Sequence, residues 1–560
     1  MAPEQYRAQA QSLANNGDFA GALRVMDKGL QDHPDLAPLA NSAGNFAMKA
    51  GKLRSAAAYF EKALACDPAR MEYAINAAIA HAGAGRHEQA LQTLASFENE
   101  GVRDARYCSV RGGSARGRGD LAQAAHWYDL AISLDPRRAK AAHGRARVAL
   151  ERGEADLLPR FEHALSLNQS DPEAWLGYAE ALEAAGEIYR ALDVAQQLVA
   201  QAPHWIAALR LLAQLRLAAG EADFTSHFAE AERRLPADKA VTRVHLQVLE
   251  QHDLIDRAME VAQGAARRFP EDPVFAMLVA SYAGMQGDRE RAKAGFDTLD
   301  FDTPDRWLLE ARFLMQVQDY ARVGHLLDKV IAADPAHISA WAVRDLLWRA
   351  TGDERAHWLH GQEGLVRMVE LPDGESVLAD AVPLLHALHD ASAFPLGQSL
   401  RGGTQTRGNL FDRSEPEIAA LQQSIAGALE IYRQGLPATD EAHPLLRHRD
   451  SPWTLAGSWS VRLDAKGDYH ASHIHPQGIV SSALYCELPD DLGDGPGKDG
   501  WIELGRPPPE MRVDLEPLHA LKPQKGHLAL FPSTLYHGTR PFDAGRRMTV
   551  AFDVVLDSSL

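Results

Sequence analysis

The chain has 560 residues, of which 46% are hydrophobic, and its formal net charge is −18 at pH 7. This composition supports large cores, and the acidic balance argues against binding to nucleic acid or anionic membranes, since both need basic surfaces. Cys66, Cys108 and Cys486 lie far apart, which predicts neither a disulfide framework nor a cysteine-based zinc site. The sequence opens without a basic start followed by an apolar run, and no apolar run reaches the about 18 residues of a membrane span. We therefore expect a cytoplasmic protein without membrane contact.

A 34-residue pattern repeats through the first part of the chain. Residues 37–70 carry Ala56, Phe60 and Ala63 on one predicted helix face, followed by Pro68. The small residues allow two helices to approach, the larger one fills the gap between them, and the proline cannot continue the helix. Further copies occupy residues 3–36, 105–138 and 172–205. The pattern predicts stacked helical hairpins.

This pattern resembles the tetratricopeptide repeat family over residues 3–338. Arrays of this family form a superhelix with a concave groove, so the resemblance implies that the groove recruits a peptide or protein substrate. A scaffolding array, or one that forms a homodimer, is the alternative. We expect the array and a capping helix to fill residues 1–355, with a linker or entry segment over residues 356–394.

The sequence period changes after residue 375. A helix is predicted over about residues 415–433, where apolar residues recur at helical spacing. Short segments of β character follow at residues 458–464, 478–488, 500–505, 527–533 and 546–556. This order is typical of a small antiparallel barrel or jelly roll. The predicted fold is therefore multidomain: an all-α repeat superhelix, then a mainly β jelly-roll (double-stranded β-helix) domain with flanking helices over residues 395–560.

Three histidines and an arginine near the C-terminus form a pattern that suits metal chemistry. His473 and His475 are two residues apart beside a predicted strand, so both side chains can point to one side, and His537 follows the end of another strand. Imidazole binds Fe, Zn, Cu or Ni, so these residues predict a metal site without selecting the metal. Arg547 on the last strand is a fixed cation that suits an acidic cosubstrate.

The motifs around these residues resemble a family of bacterial Fe(II)/2-oxoglutarate-dependent oxygenases related to prolyl hydroxylases, which often follow tetratricopeptide repeats. The segments that carry the resemblance are GGTQTRGNLF (402–411), HIHPQGIVSSALY (473–485), WIELGRPP (501–508), GHLALFPSTLYHGTRPF (526–542) and RRMTVAFD (546–553). The resemblance implies Fe(II) and 2-oxoglutarate as cofactors. It makes His473, His475 and His537 the metal ligands.

The same resemblance assigns three residues to the cosubstrate. Arg547 matches the residue that pairs with the far carboxylate of 2-oxoglutarate, because a guanidinium can bind a carboxylate through two parallel hydrogen bonds. Thr549 lies two residues further on the same strand face and can add a hydroxyl contact, and Tyr485 is a further candidate from the strand after His475.

The sequence departs from the wider oxygenase superfamily at one ligand. The usual triad has two histidines and one carboxylate, and here His475 stands where the acid would be. Three neutral imidazoles leave the site one negative charge short. Asp468 in a shifted register and His470 are the alternative ligands.

The predicted function is hydroxylation of a peptide or protein side chain, with the repeat array recruiting the substrate and no catalytic residue beyond the metal centre. One alternative is a repeat scaffold whose oxygenase-like domain is inactive or only binds metal. Another is a three-histidine oxygenase that acts on a small molecule without 2-oxoglutarate. Arg547 argues against both, since neither needs a cosubstrate anchor.

Overall fold

The computed structural model describes residues 1–392, 396, 400–464, 468–489, 492 and 497–556. The chain divides into two compact units, Met1–Ala181 and Leu182–Leu560. Helices fill the first unit and the beginning of the second, and an antiparallel β region follows them. The predicted fold class is confirmed. No helix in the described ranges is long and apolar enough to cross a membrane.

Twenty-two α-helices precede the first described strand. Their bounds are Pro3–Asn15 (α1), Phe19–Asp32 (α2), Ala37–Lys49 (α3), Leu53–Cys66 (α4), Met71–Gly83 (α5), His87–Ala95 (α6), Glu98–Gly101 (α7), Ala105–Gly117 (α8), Leu121–Leu134 (α9), Ala139–Glu151 (α10), Leu157–Leu167 (α11), Pro172–Ala184 (α12), Ile188–Gln201 (α13), Ile206–Ala218 (α14), Ser226–Arg234 (α15), Lys239–Gln251 (α16), Ile255–Arg268 (α17), Pro273–Gln286 (α18), Arg289–Asp297 (α19), Pro304–Gln316 (α20), Tyr320–Ala333 (α21) and Ile338–Thr351 (α22).

The small and large residues of the repeat pattern pack as predicted. Ala56, Phe60 and Ala63 of α4 are buried. Gly44 of α3 faces the Phe60 ring so closely that a Cβ on Gly44 would lie 2.5 Å from a ring carbon. The turn between α3 and α4 contains Gly51 at φ +70°, a conformation that glycine adopts without strain. The repeat pattern thus encodes both the helix packing and the turn.

The last helix of the array ends earlier than its sequence pattern suggests. The pattern predicts one helix over residues 337–360, but α22 ends at Thr351, because Gly352 adopts the left-handed conformation. A short π-helical turn follows at His357–Gly361. The rings of Trp341, Trp348 and Trp358 lie together, with centroids 6.0 to 6.2 Å apart, and hold this turn against α22.

After the array, the described residues of the second unit form antiparallel strands in three sheets, together with two further α-helices. Their bounds are Arg367–Glu370 (β1), Leu400–Arg401 (β2), Thr404–Gln405 (β3), Trp453–Asp464 (β4), Tyr469–His470 (β5), Val480–Glu487 (β6), Ile502–Leu504 (β7), His519–Leu521 (β8), His527–Pro532 (β9), His537–Thr539 (β10) and Arg546–Leu556 (β11). The large sheet has the order β1-β9-β6-β11-β4-β3, a smaller one the order β10-β7-β8, and β2 pairs with β5.

Two helices cover one face of the large sheet and the small sheet covers the other. Helices α23 (Gly374–Asp390) and α24 (Pro416–Gln434) bury apolar side chains against residues such as Leu484 and Leu528. On the opposite face, Tyr485 and Phe531 pack against residues of β7. Successive side chains of a strand point to opposite faces, and here both faces of the large sheet are buried.

The segment predicted as a linker contributes to the folded core. Residues 356–392 contain β1, which pairs with β9 over four residues, and the helix α23. Residues 393–395, where the predicted boundary falls, lie outside the described residues. The domain boundaries themselves stay a prediction.

Buried histidines make the stability of this fold sensitive to acid. Burial lowers the pKa of His227 and His443 from 6.5 to about 4 and that of His389 to about 3, because desolvation disfavours the imidazolium. Between pH 6.5 and 4 the unfolded chain therefore binds protons that the folded chain does not, so the free energy of unfolding falls as the pH falls. We expect losses of up to roughly 3 kcal/mol per histidine. Urea titrations followed by circular dichroism at pH 7, 5.5 and 4.5 check this, and equal midpoints would contradict it.

Candidate metal centre and its cavity

Two of the three predicted ligands face each other across a short antiparallel bridge. The backbone N–H of His473 donates to the carbonyl of His537 at 3.0 Å, and the reverse bond is 2.9 Å long. Directly opposite residues in such a bridge carry their side chains on the same side. The bridge thus brings together two residues that are distant in sequence.

The structure gathers all three histidines around one point. His473, His475 and His537 each offer a ring nitrogen, and these nitrogens lie within 4.8 Å of one another. The Nε2 atoms of His473 and His475 are 3.0 Å apart. The ring centroids lie 4.3 to 5.0 Å from one another. Three imidazole nitrogens on one side of a point are a donor set that suits Fe, Zn, Cu or Ni.

Backbone carbonyls orient two of these rings. The Nδ1 of His473 lies 2.8 Å from the carbonyl oxygen of Ala471, and the Nδ1 of His537 lies 3.1 Å from that of Leu535. A carbonyl only accepts, so each Nδ1 carries the proton and each Nε2 presents its lone pair. This is the tautomer that a metal ligand at Nε2 requires.

An aspartate that sequence reasoning missed orients the third ring. The carboxylate of Asp553 accepts a hydrogen bond from the Nδ1 of His475. A carboxylate behind a histidine ligand fixes the ring and raises its basicity. Asp553 therefore places a negative charge directly behind His475, the residue that replaces the usual acid. The sequence contains a signal for Asp553, because it stands at an even offset from Arg547 on β11, which places both side chains on the same face of a regular strand. Both residues line one cavity.

The two alternative ligands lie outside the cluster. Asp468 accepts a hydrogen bond from the backbone N–H of Asp464 at 3.1 Å. The ring of His470 on β5 lies 5.9 Å from that of His473. Within the described ranges, neither offers a ligand atom to the cluster of three histidines.

Burial keeps two of the imidazoles neutral. The pKa values of His473 and His537 lie well below their usual range, first because burial disfavours the charged ring and then because the neighbouring histidines would repel it. A neutral imidazole has the free lone pair that a metal needs. Protons therefore compete only weakly with a metal at these two residues.

Arg547 lies in the same cavity with unused hydrogen-bonding capacity. Its side chain is 3% exposed, and its Nη1 donates to the carbonyl of Gly500 at 2.8 Å. Its Nε has no hydrogen-bond partner among the described residues, and burial lowers the pKa of the guanidinium. A buried cation of this kind is stabilised by an anionic ligand.

Tyr485 and Thr549 stand beside Arg547. They are opposite each other in the pairing of β6 with β11, and Arg547 Cζ lies 5.0 Å from the centre of the Tyr485 ring. The buried Tyr485 hydroxyl has no hydrogen-bond partner in the described part of the chain. Arg546, the other arginine of this strand, forms an ion pair with Asp464 at 2.9 Å at the surface. The unsatisfied groups near Arg547 fit a carboxylate ligand.

The histidines and Arg547 line a cavity of about 1200 Å³. Residues of the helical array line it too, namely Glu250, Gln251, Asp253, Ile255 and Met285. Asp253 is ion-paired with Arg401 of β2, one strand of the two-stranded sheet. The repeats therefore contribute to the wall of the cavity that holds the three histidines.

Asp553 should matter for metal affinity although it does not reach the metal position. We expect Asp553→Asn to weaken Fe(II) binding by about 10- to 100-fold, because the ring of His475 loses its anionic acceptor. Anaerobic titration with Fe(II) measures this. Asp468→Asn is the matched control and should leave the affinity unchanged. The reverse ranking of the two variants would favour the shifted register.

Comparison with known proteins follows the division of the chain. Residues 457–553 match the family model described as "Putative 2OG-Fe(II) oxygenase", and residues 47–111 and 158–215 match the tetratricopeptide repeat model. Both predicted resemblances are thereby confirmed. No curated protein matches the sequence.

Among solved structures, the chain is similar to several repeat proteins. A tetratricopeptide repeat protein from Parabacteroides merdae has 18% identity and a TM-score of 0.37, covering 43% of this chain and 97% of that one. MamA from Desulfovibrio magneticus RS-1 has 19% identity and a TM-score of 0.27, covering 30% and 96%. YrrB, described as a TPR protein with an unusual peptide-binding site, has 19% identity and a TM-score of 0.26, covering 30% and 88%.

Proposed function

We propose that this chain, in which an oxygenase family model matches the segment around the histidine cluster, is an Fe(II)- and 2-oxoglutarate-dependent dioxygenase that hydroxylates a peptide or protein side chain. The observation that carries the proposal is the shared cavity. Three imidazole nitrogens and the buried guanidinium of Arg547 line it together. A metal site alone would not need a buried cation beside it.

The residues present fit both cofactors. His473, His475 and His537 would hold Fe(II), and Arg547 would bind the far carboxylate of 2-oxoglutarate, with Thr549 beside it. Fe(II), when bound, would supply the chemistry by which dioxygen, 2-oxoglutarate and a substrate C–H group give succinate, carbon dioxide and a C–OH group, with one oxygen atom entering succinate and the other the hydroxyl. The chain's own contribution is to fix the imidazole tautomers, to anchor the cosubstrate and to limit access of water.

The repeat array supports a macromolecular substrate. Tetratricopeptide arrays offer extended concave surfaces for peptide or protein partners. Here Asp253, Ile255 and Met285 of the array reach the cavity that holds the histidines. A volume of about 1200 Å³ also exceeds the range of roughly 300 to 1,000 Å³ that is usual for small-ligand sites. We infer that a substrate side chain enters between the repeats and the strands.

A turnover assay tests this function. Protein purified without oxygen is mixed with Fe(II) and 2-oxoglutarate, oxygen is admitted, and succinate is measured with and without a library of candidate peptides. We expect slow succinate formation alone and faster formation with a substrate peptide. Absence of 2-oxoglutarate binding, together with absence of turnover with every peptide, would refute the proposal.

A repeat scaffold whose second domain binds metal without catalysis is the second candidate. The observation that favours it is His475 in the place of the usual carboxylate. Calorimetry with Fe(II) and then 2-oxoglutarate separates the two functions, since the scaffold would bind the metal only.

A further inference from the structure

A buried relay of three polar side chains connects the last repeat helix with the segment before His537. His360 Nδ1 lies 2.9 Å from Asp345 Oδ1 on α22, and His360 Nε2 lies 2.8 Å from Thr534 Oγ1. All three residues are at most 2% exposed. Because the carboxylate can only accept, Nδ1 carries the proton, and Nε2 accepts from the threonine hydroxyl.

This arrangement has the order of a hydrolytic triad, but its surroundings argue against that chemistry. A nucleophile must reach a substrate. Thr534 is 2% exposed, and none of the three side chains lines the cavity of the histidine cluster. The relay is therefore suited to hold atoms in place.

The atoms that the relay holds belong to the turn that carries a candidate metal ligand. Thr534 lies between the end of β9 at Pro532 and the start of β10 at His537. The next residue, Leu535, provides the carbonyl that orients the His537 ring at 3.1 Å. A shift of this turn would move both the ligand and its acceptor.

A second contact fixes α22 to the same place. Arg349 Nη1 lies 3.1 Å from Asp345 Oδ2, and the guanidinium also donates to the carbonyls of Gly505 and Glu516. The N–H of Gly505 in turn donates to the carbonyl of Tyr536 at 2.6 Å, one residue before His537. Asp345 thus belongs to two hydrogen-bonded connections that reach the turn at residues 533–536, directly before His537.

We propose that Asp345, His360 and Thr534 are positioning residues for His537, so that the last repeat helix is a structural part of the metal centre. The inference rests on the proposed metal role of the three histidines. It predicts that an altered relay weakens metal binding in a chain that is still folded and has all three ligands.

Co(II) binding to the full-length chain tests the proposal, with the affinity and the visible absorption spectrum as readouts. Thr534→Val removes the hydroxyl and keeps the shape of the side chain. We expect about tenfold weaker Co(II) binding and an altered spectrum, which is the lower end of the about 10- to 100-fold loss of affinity that is usual when a residue supporting a metal ligand is changed. Thr534→Ser restores the hydroxyl and should restore both readouts. His245→Gln is the matched control, because His245 is a buried histidine paired with Glu232 at 2.8 Å within the repeats.

The outcomes separate this inference from the proposed function. If the parent chain binds no Co(II), the metal site itself is refuted. If the parent binds Co(II) and Thr534→Val matches it in affinity and spectrum, only the positioning role is overturned. Asp345→Asn gives a second measurement should the first variant fold poorly, and it too should weaken Co(II) binding while His245→Gln does not.

Discussion

Replacing His537 by alanine is expected to abolish metal binding. The change removes one of three nitrogens and leaves His473 and His475 as a two-point site. Loss of a hydrogen-bond partner behind a ligand weakens metal affinity by up to about 100-fold, and loss of the ligand itself should weaken it more. Metal analysis after anaerobic loading with Fe(II), followed by desalting, measures the effect. We expect less than a few per cent of the parent's iron, as an order of magnitude from that loss of affinity.

The control for this variant is His527→Ala. His527 begins β9, which ends just before the turn that precedes His537. Its Nδ1 lies 3.2 Å from the carbonyl of Lys525 at the surface. This variant should load iron as the parent does. Full loading of His537→Ala would contradict the proposed ligand set and would favour His470 as the third ligand.

The repeat array could be predicted because its determinants are local. A helix face, a turn glycine and a terminating proline all lie within one 34-residue unit. The structure places Pro68 two residues after the end of α4 and Pro136 two residues after the end of α9. The helix boundaries of each unit can therefore be predicted from the unit's own residues, and the repetition of the pattern in further units strengthens the prediction.

The β domain was predicted less completely, because pairing partners are remote in sequence. The strand β1 has four residues and becomes recognisable only through its pairing with β9. Helix α23 contains Pro383, a residue that usually ends helices, and it lies within the segment that the sequence predicts as a linker. The jelly-roll class could be predicted because apolar residues alternate along the two longest strands, β4 and β11.

The site shows the same limit. His473, His475, His537 and Arg547 carry a recognisable spacing, and the structure brings all four to one cavity. Asp553 lies within the motif RRMTVAFD, but its role cannot be predicted from spacing, because its partner His475 is 78 residues away. Sequence spacing can identify candidate ligands, but it does not reveal the residues that hydrogen-bond to those ligands from a distant part of the chain.

Arg547→Ala should separate cosubstrate binding from metal binding. The side chain is buried next to the ring of Tyr485, and its Nε has no partner among the described residues. If the guanidinium pairs with the far carboxylate of 2-oxoglutarate, its loss should cost about 2–5 kcal/mol, which is at least roughly 30-fold in Kd. Metal affinity should stay within about twofold, a difference below roughly 0.5 kcal/mol. Anaerobic titration of the metal-free protein with Fe(II) measures the metal affinity, and calorimetry of the Fe(II)-loaded protein with 2-oxoglutarate measures cosubstrate binding.

Two further variants decide how Arg547 acts. Arg547→Lys keeps the charge but not the two parallel donors, so it should bind 2-oxoglutarate less tightly than the parent and more tightly than the alanine variant. Arg546→Ala removes the neighbouring arginine, whose partner is Asp464 at the surface, and should leave the cosubstrate affinity unchanged. Equal loss of metal and 2-oxoglutarate in Arg547→Ala would instead show that the bond from Arg547 to Gly500 holds the fold around the site. A selective loss of 2-oxoglutarate binding would mean that the buried cation is kept for an anionic ligand, which a scaffold that only binds metal does not need.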